Sequence, residues 1–220
     1  MGKIQRLLSL SLFQFVFYNF FCKNVYRDKH CYILPVRGSR IEFHKTAKLI
    51  LHGHLYLNIN KYPGSNAECY LRLRKRAEMT VNGDVHLFYN ATIEVRNGAR
   101  LSIGKTLVIN SGAVILCSYK MTIGSGCLFA RSAMILDSDH HRILDDDGNT
   151  TNDPEEVIIG DNVWFGINST VLKGSKIENG SVVGANSLIT GTIKEHTLMV
   201  NKPPREFSKI NWSVKGFEDD

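Results

Sequence analysis

Residues 159–193 read IGDNVW, FGINST, VLKGSK, IENGSV, VGANSL and ITGTI, and through this stretch the chain keeps a six-residue beat. Each group opens on an apolar side chain: Ile159, Phe165, Val171, Ile177, Val183 and Ile189. Four residues after each opener stands a small or β-branched one: Val163, Ser169, Ser175, Ser181, Ser187 and Ile193. A period of six fits neither the 3.6 of a helix nor the two of a simple strand. It fits a coiled ribbon in which six residues make one short strand and one corner. Three such units close a triangular turn with the openers pointing inward.

Working upstream, the same beat holds at Ile123, Phe129 and Ile135, with Cys127 and Ala133 in the small position, and Ile159 resumes it a multiple of six later. Before that, Leu49, Leu55, Leu57, Leu71, Leu73, Val81, Val85, Leu87, Ile93 and Val95 alternate as in short strands. The phase slips near residues 97–101 and again between Ile115 and Ile123, so the early coils are expected to be irregular. The reading is an all-β protein, a parallel β-helix over residues 31–202 with about eight or nine coils of about 18 residues.

One segment interrupts the rhythm. Residues 137–156 hold Asp137, Asp139, Asp145, Asp146, Asp147 and Asp153 together with Gly148, Asn149, Asn152 and Pro154. This is turn chemistry without periodicity, hence a loop, and a long loop on a regular scaffold tends to carry function. After Val200 the beat stops, and Pro203-Pro204 leads into a polar tail over residues 203–220.

Residues 1–30 form a different text. Ile4, Leu7, Leu8, Leu10, Leu12, Phe13, Phe15, Val16, Phe17, Tyr18, Phe20 and Phe21 crowd a segment flanked by Lys3, Arg6, Lys23, Arg27 and Lys29. A helix over residues 4–21 would measure about 27 Å, short of the hydrocarbon core, and it carries polar residues midway. An amphipathic arm is expected, with residues 3–29 in peripheral contact with a membrane surface or packed on the body of the protein.

The net charge of +6 suits anionic partners: a phosphorylated small molecule or an anionic membrane. No nucleic-acid motif accompanies it, so nucleic acid is not expected as a partner. Five cysteines (Cys22, Cys31, Cys69, Cys117 and Cys127) form an odd set without C-x-x-C spacing. That argues against a disulfide framework and a zinc knuckle, and for a reducing cytoplasm.

The chemistry-bearing cluster is Asp137-Ser138-Asp139-His140-His141, at the end of the last strand before the loop. A histidine is the natural general base near neutral pH, and a neighbouring carboxylate can fix its tautomer. Either Asp137 or Asp139 could serve His141 in this way. This cluster, the run Val157 to Gly166, Val171-Leu172-Lys173-Gly174 and Val182 to Ser187 resemble the left-handed β-helix hexapeptide acyltransferases. They are most similar to the O-acetyltransferase branch that acts on sugars and surface polysaccharides. The resemblance spans about residues 100 to 205.

What the resemblance implies is a homotrimer that binds acetyl-CoA between neighbouring coils. His141 would deprotonate a sugar hydroxyl for direct attack on the thioester, with no cysteine nucleophile and no metal. Gly166, Gly184, Ala185 and Ser187 would let the pantetheine arm lie against backbone, with Trp164 as a flat wall. Lys173, Lys202 and Arg205 would meet the CoA phosphates. The family's closing Gly-Asn-Pro-Ala-Lys reads Asn201-Lys202-Pro203-Pro204-Arg205 here, so one proline and the final cation match. Three rival readings share the fold: an N-acyltransferase on a nucleotide-linked amino sugar, a metal protein like the γ-type carbonic anhydrases, and a non-catalytic trimeric scaffold. The metal reading wants an H-x-x-x-x-H pair, which the chain does not offer.

Overall fold

A computed structural model of the chain describes residues 10–62 and 64–201. Among them run twenty-three strands in three parallel sheets of eight, eight and seven, each strand inside a sheet hydrogen-bonded to the one a coil earlier and a coil later. The first face begins at Val25–Arg27, the second at Ile33–Pro35 and the third at Ser39–Phe43. The chain visits them in that order, coil after coil. In a parallel stack every backbone N–H and C=O of a middle coil has a partner above or below, so the core can be wholly apolar.

All six openers of the quoted stretch are buried, as are Val163, Ser169, Ser175, Ser181, Ser187 and Ile193 four residues on. Serine is tolerated inside because its hydroxyl reaches a carbonyl: Ser169 Oγ donates to Gly166 O at 2.8 Å and Ser181 Oγ to Lys194 O at 2.8 Å. Corners turn through left-handed backbone at Asn162, Asn168 and Asn186 (φ 55–56°), a conformation asparagine accepts more readily than most residues.

The coil length expected from the hexads holds only late. Ile158 pairs with Lys176, eighteen residues on, but Leu101 pairs with Met121, twenty on, and Lys48 with Glu78, thirty on. Early strands such as Leu55–Ile59 and Cys69–Leu73 have five residues where Trp164–Phe165 has two, and an insertion at 60–68 lengthens one corner. The first strand, Val25–Arg27, also lies inside the segment assigned to the arm.

The helix is shorter than the apolar text: one α-helical stretch, Leu12–Val16 (α1), continues as a π-helical turn, Phe17–Phe21. Residues 1–9 lie outside the described residues. The helix closes the N-terminal end of the coil. Asn19 donates to Ile33 O at 2.8 Å and accepts from Ile33 N at 2.8 Å, Tyr18 Oη donates to Ile41 O at 2.7 Å, and Gln14 Nε2 to Ser39 O at 2.9 Å. These bonds satisfy edge-strand backbone that would otherwise be open. The opposite side shows Leu12, Phe13, Phe20 and Phe21 to solvent. Among the described residues no helix is long and apolar enough to cross a membrane.

Candidate active site

The loop 137–156 leaves the coil at the corner between the third and first faces, just past strand Met134–Leu136. Asp137 is fully buried there, and its carboxylate accepts from the backbone N–H of Ser118 at 2.6 Å and of Tyr119 at 2.9 Å, one coil below. Its own carbonyl accepts from Glu155 N at 3.0 Å, which brings the two feet of the loop together. Asp137 therefore staples a corner.

Asp139 lies outside, where Lys173 Nζ donates to its Oδ2 at 2.7 Å and Asn152 Nδ2 at 2.9 Å. The Lys173 ammonium, then the Asn152 amide, hold its carboxyl below the usual range, so it is ionised at neutral pH. Asn152 Nδ2 also donates to the carbonyl of His141 at 2.8 Å, and Asn152 Oδ1 accepts from Ile143 N at 2.7 Å. The link from Asp139 to His141 thus runs through Asn152 to the backbone. Among the described residues neither aspartate bonds a ring nitrogen of His141. The His141 side chain is exposed at the corner.

His140 faces inward. It takes φ 63°, its N–H donates to Ser138 Oγ at 3.0 Å, and its Nδ1 lies 3.4 Å from Ser118 Oγ. Its Nε2 is buried without a hydrogen-bond partner. Burial, then the Arg96 guanidinium, push its pKa down against the opposing pull of Asp137 and Glu94. The ring is neutral near pH 7 and packs the root of the loop.

The residues read as cofactor contacts separate into groups. Trp164 points outward on the second face, half exposed, between Leu128 and Val182 in the register. Gly166 and Gly184 have a packing reason: a Cβ on Gly166 would meet Ala185 N at 2.5 Å, and one on Gly184 the Val200 side chain at 2.6 Å. Ser187 is buried, with its Oγ accepting from Asn201 N at 3.2 Å, while Ala185 is exposed. Lys173 is paired with Asp139 across the corner, in place of the free cation expected for a phosphate. Lys202 and Arg205 lie outside the described residues. Burial pushes the thiols of Cys69, Cys117 and Cys127 up, to about 12 for Cys69 and about 11 for Cys127, which leaves all three unreactive at neutral pH. Sequence reasoning missed Asn152 and Ser118. Asn152 sits in a segment without periodicity, and nothing local marks it.

Residues 156–191 match the family described as bacterial transferase hexapeptide (six repeats). The chain is 37% identical over 107 residues to the putative lipopolysaccharide biosynthesis O-acetyl transferase WbbJ of Escherichia coli (strain K12), covering 44% of this chain and 55% of that protein. It is 30% identical over 116 residues to the galactoside O-acetyltransferase of the same strain, covering 52% and 56%. The matches thus span little more than half the length of these curated relatives. Among solved structures, the polysialic acid O-acetyltransferase OatWY superposes with a TM-score of 0.56 at 21% identity, over 89% of this chain and 93% of that one, which shows a shared fold. The beat, the three parallel sheets and these matches together give the chain the left-handed parallel β-helix fold, with a hexapeptide-repeat segment at residues 156–191 and sequence similarity to sugar O-acetyltransferases.

Proposed function

We propose that the protein is an acetyl-CoA-dependent O-acetyltransferase that modifies a sugar hydroxyl of a bacterial surface polysaccharide or of its lipid- or nucleotide-linked precursor. The observation that carries this reading is the exposed His141 at the root of a loop pinned from three sides, by Asn152, by the Asp139–Lys173 pair and by the Asp137 staple. Fixed backbone beneath a solvent-facing imidazole is what a general base needs, because the cost of orienting it is met in folding. The His141 imidazole takes the proton of the acceptor hydroxyl as its oxygen attacks the acetyl carbonyl. A backbone N–H holds the tetrahedral oxyanion, the C–S bond breaks, and the imidazolium returns its proton to the CoA thiolate.

The exposed Trp164, with Ala185 beside Gly166, supplies a flat strip for the pantetheine arm, and Lys202 and Arg205 are proposed for the phosphates. Asp139 positions His141 by way of Asn152. A homotrimer would complete the cleft, its subunits meeting over the apolar outward column Leu128, Trp164, Val182 and Leu198. The aromatic side of the N-terminal helix would rest on the cytoplasmic face of a membrane, where a lipid-linked acceptor is found.

The test is His141→Ala, read by acetyl transfer and by calorimetric binding of acetyl-CoA. The expected outcome is loss of turnover by about 10³-fold or more, with acetyl-CoA affinity and thermal midpoint unchanged. Full activity in this variant, or no acetyl-CoA binding by the parent protein, overturns the reading.

A further inference from the structure

The corner that carries the catalytic loop continues downward as an unbroken edge toward the N-terminal helix. His44 N donates to Leu73 O at 2.9 Å, Arg74 N to Val95 O at 2.9 Å, Arg96 N to Cys117 O at 2.7 Å and Ser118 N to Asp137 Oδ1 at 2.6 Å. Four strand spacings therefore separate the first of these corners from the loop, about 19 Å at about 4.8 Å each.

This edge is crowded with cations. Glu42, Arg72 and Glu94 stand in one outward column of the third face. Arg72 reaches Glu42 at 2.7 Å and Glu94 at 4.0 Å, Arg74 reaches Glu94 at 2.9 Å, and Arg96 approaches it at 3.9 Å. Three guanidiniums thus share one carboxylate that is only 13% exposed, while they remain 36–43% exposed themselves. Lys45, Lys75 and Arg76 stand exposed on the same corners, and among the described residues none of the three makes an ion pair. Six cations face two carboxylates, so the edge keeps a strong positive excess that its own acids do not neutralise. At its top, Arg96 is close enough to His140 to push that ring's pKa down, so the charge reaches the foot of the catalytic loop.

We propose that this edge holds an acidic saccharide chain, with its carboxylates or phosphates on Arg72, Arg74, Arg76 and Lys75 and its acceptor sugar at His141. The proposal rests on the acetyltransferase reading and names its acceptor class. Guanidinium forks match carboxylate and phosphate oxygens in pairs, and half-exposed, tethered arginines lose little freedom on binding. A ring stands on the same edge, since Tyr119 is 53% exposed at the corner between Arg96 and Asp137, so the carboxyl-reduced saccharides below separate binding by charge from binding by stacking. Because the edge spans several coils, it fits an oligosaccharide rather than a single sugar.

The experiment is calorimetric titration of the full chain with sialic-acid and uronic-acid oligosaccharides, their carboxyl-reduced counterparts and a single-stranded oligonucleotide of equal charge. Acetyl-CoA binding is read in the same samples. The expected result is that an acidic oligosaccharide binds, that its reduced form binds at least about tenfold more weakly, and that the Lys75→Gln/Arg76→Gln double variant loses about tenfold for the acidic form only. The affinity should also fall as salt rises, and the variant should keep the parent's thermal midpoint and acetyl-CoA affinity. Equal binding of acidic and reduced forms, no binding of either acid, an unaffected double variant, or equal affinity for the oligonucleotide overturns the proposal. Missing acetyl-CoA binding strikes the acetyltransferase reading instead, so the two failures are distinct.

Discussion

His140 combines left-handed backbone with a partly buried ring whose Nε2 is shut off from solvent. A β-carbon residue at φ 63° is uncommon, and here it turns the chain so that one histidine packs inward while the next faces solvent. With its pKa below the unfolded value of about 6.5, it takes up a proton more readily unfolded than folded. Its contribution to stability is therefore complete above about pH 6.5 and is lost as pH falls through that value toward the folded one. The groups that face it are Arg96, Asp137, Glu94 and His141. Thermal melts at stepped pH should show the midpoint falling on the acid side, and His140→Asn, which tolerates the same backbone and does not titrate, should flatten the slope. Parallel slopes in the two proteins would assign the acid sensitivity elsewhere. The sequence marks Asp137 to His141 as one group and the structure keeps it at one corner, but which of its side chains face inward and which outward was not legible. Asp137 finds its partners on the coil below, and Asp139 finds Lys173 on the coil above, pairings that a linear text does not display.

The hexads were legible because each apolar opener sits at one fixed place relative to a corner, and each corner costs the same number of residues. Upstream that rule fails for a physical reason: strands of four or five residues, an inserted corner and a register shift between Leu57 and Ile59 dissolve the period while leaving the alternation. Glycines in the corners obey the stacking distance as much as any ligand. Gly53 shows the extreme, where a Cβ would lie 2.2 Å from the Gly83 backbone. Gly166→Ala tests the same point beside the proposed cofactor strip. Its Cβ would press on Ala185 N at 2.5 Å, so denaturant unfolding should show a loss of about 1–3 kcal/mol. A neutral result would mean the coils slide apart more readily than their backbone ladders imply.

The N-terminal end of the molecule is closed by the short helix, whose polar side chains bind the edge strands and whose aromatic side is left to solvent. Phe13 is 81% exposed and Phe21 70%, with Lys23 and Lys29 close by in the chain, a pairing that fits anionic lipid. The full chain should float with vesicles containing anionic lipid, and Phe13→Ser/Phe21→Ser should sink without a change in melting, since neither ring is buried. Flotation of that variant equal to the parent's would remove the membrane from the account. A long amphipathic arm was expected from the text, and the π-helical turn was not, because the decisive bonds belong to Asn19 and Tyr18, polar residues inside an apolar run.

The coil is in effect a ruler. Because neighbouring turns stack with a spacing of about 4.8 Å, the height of the loop 137–156 above the helix-capped end can change only in whole graduations. Inserting or deleting one turn would move the loop by one mark and leave the cross-section of the core as it was. On the proposed reading, counting turns would set how far from the helix-capped end transfer takes place, with the loop itself unchanged.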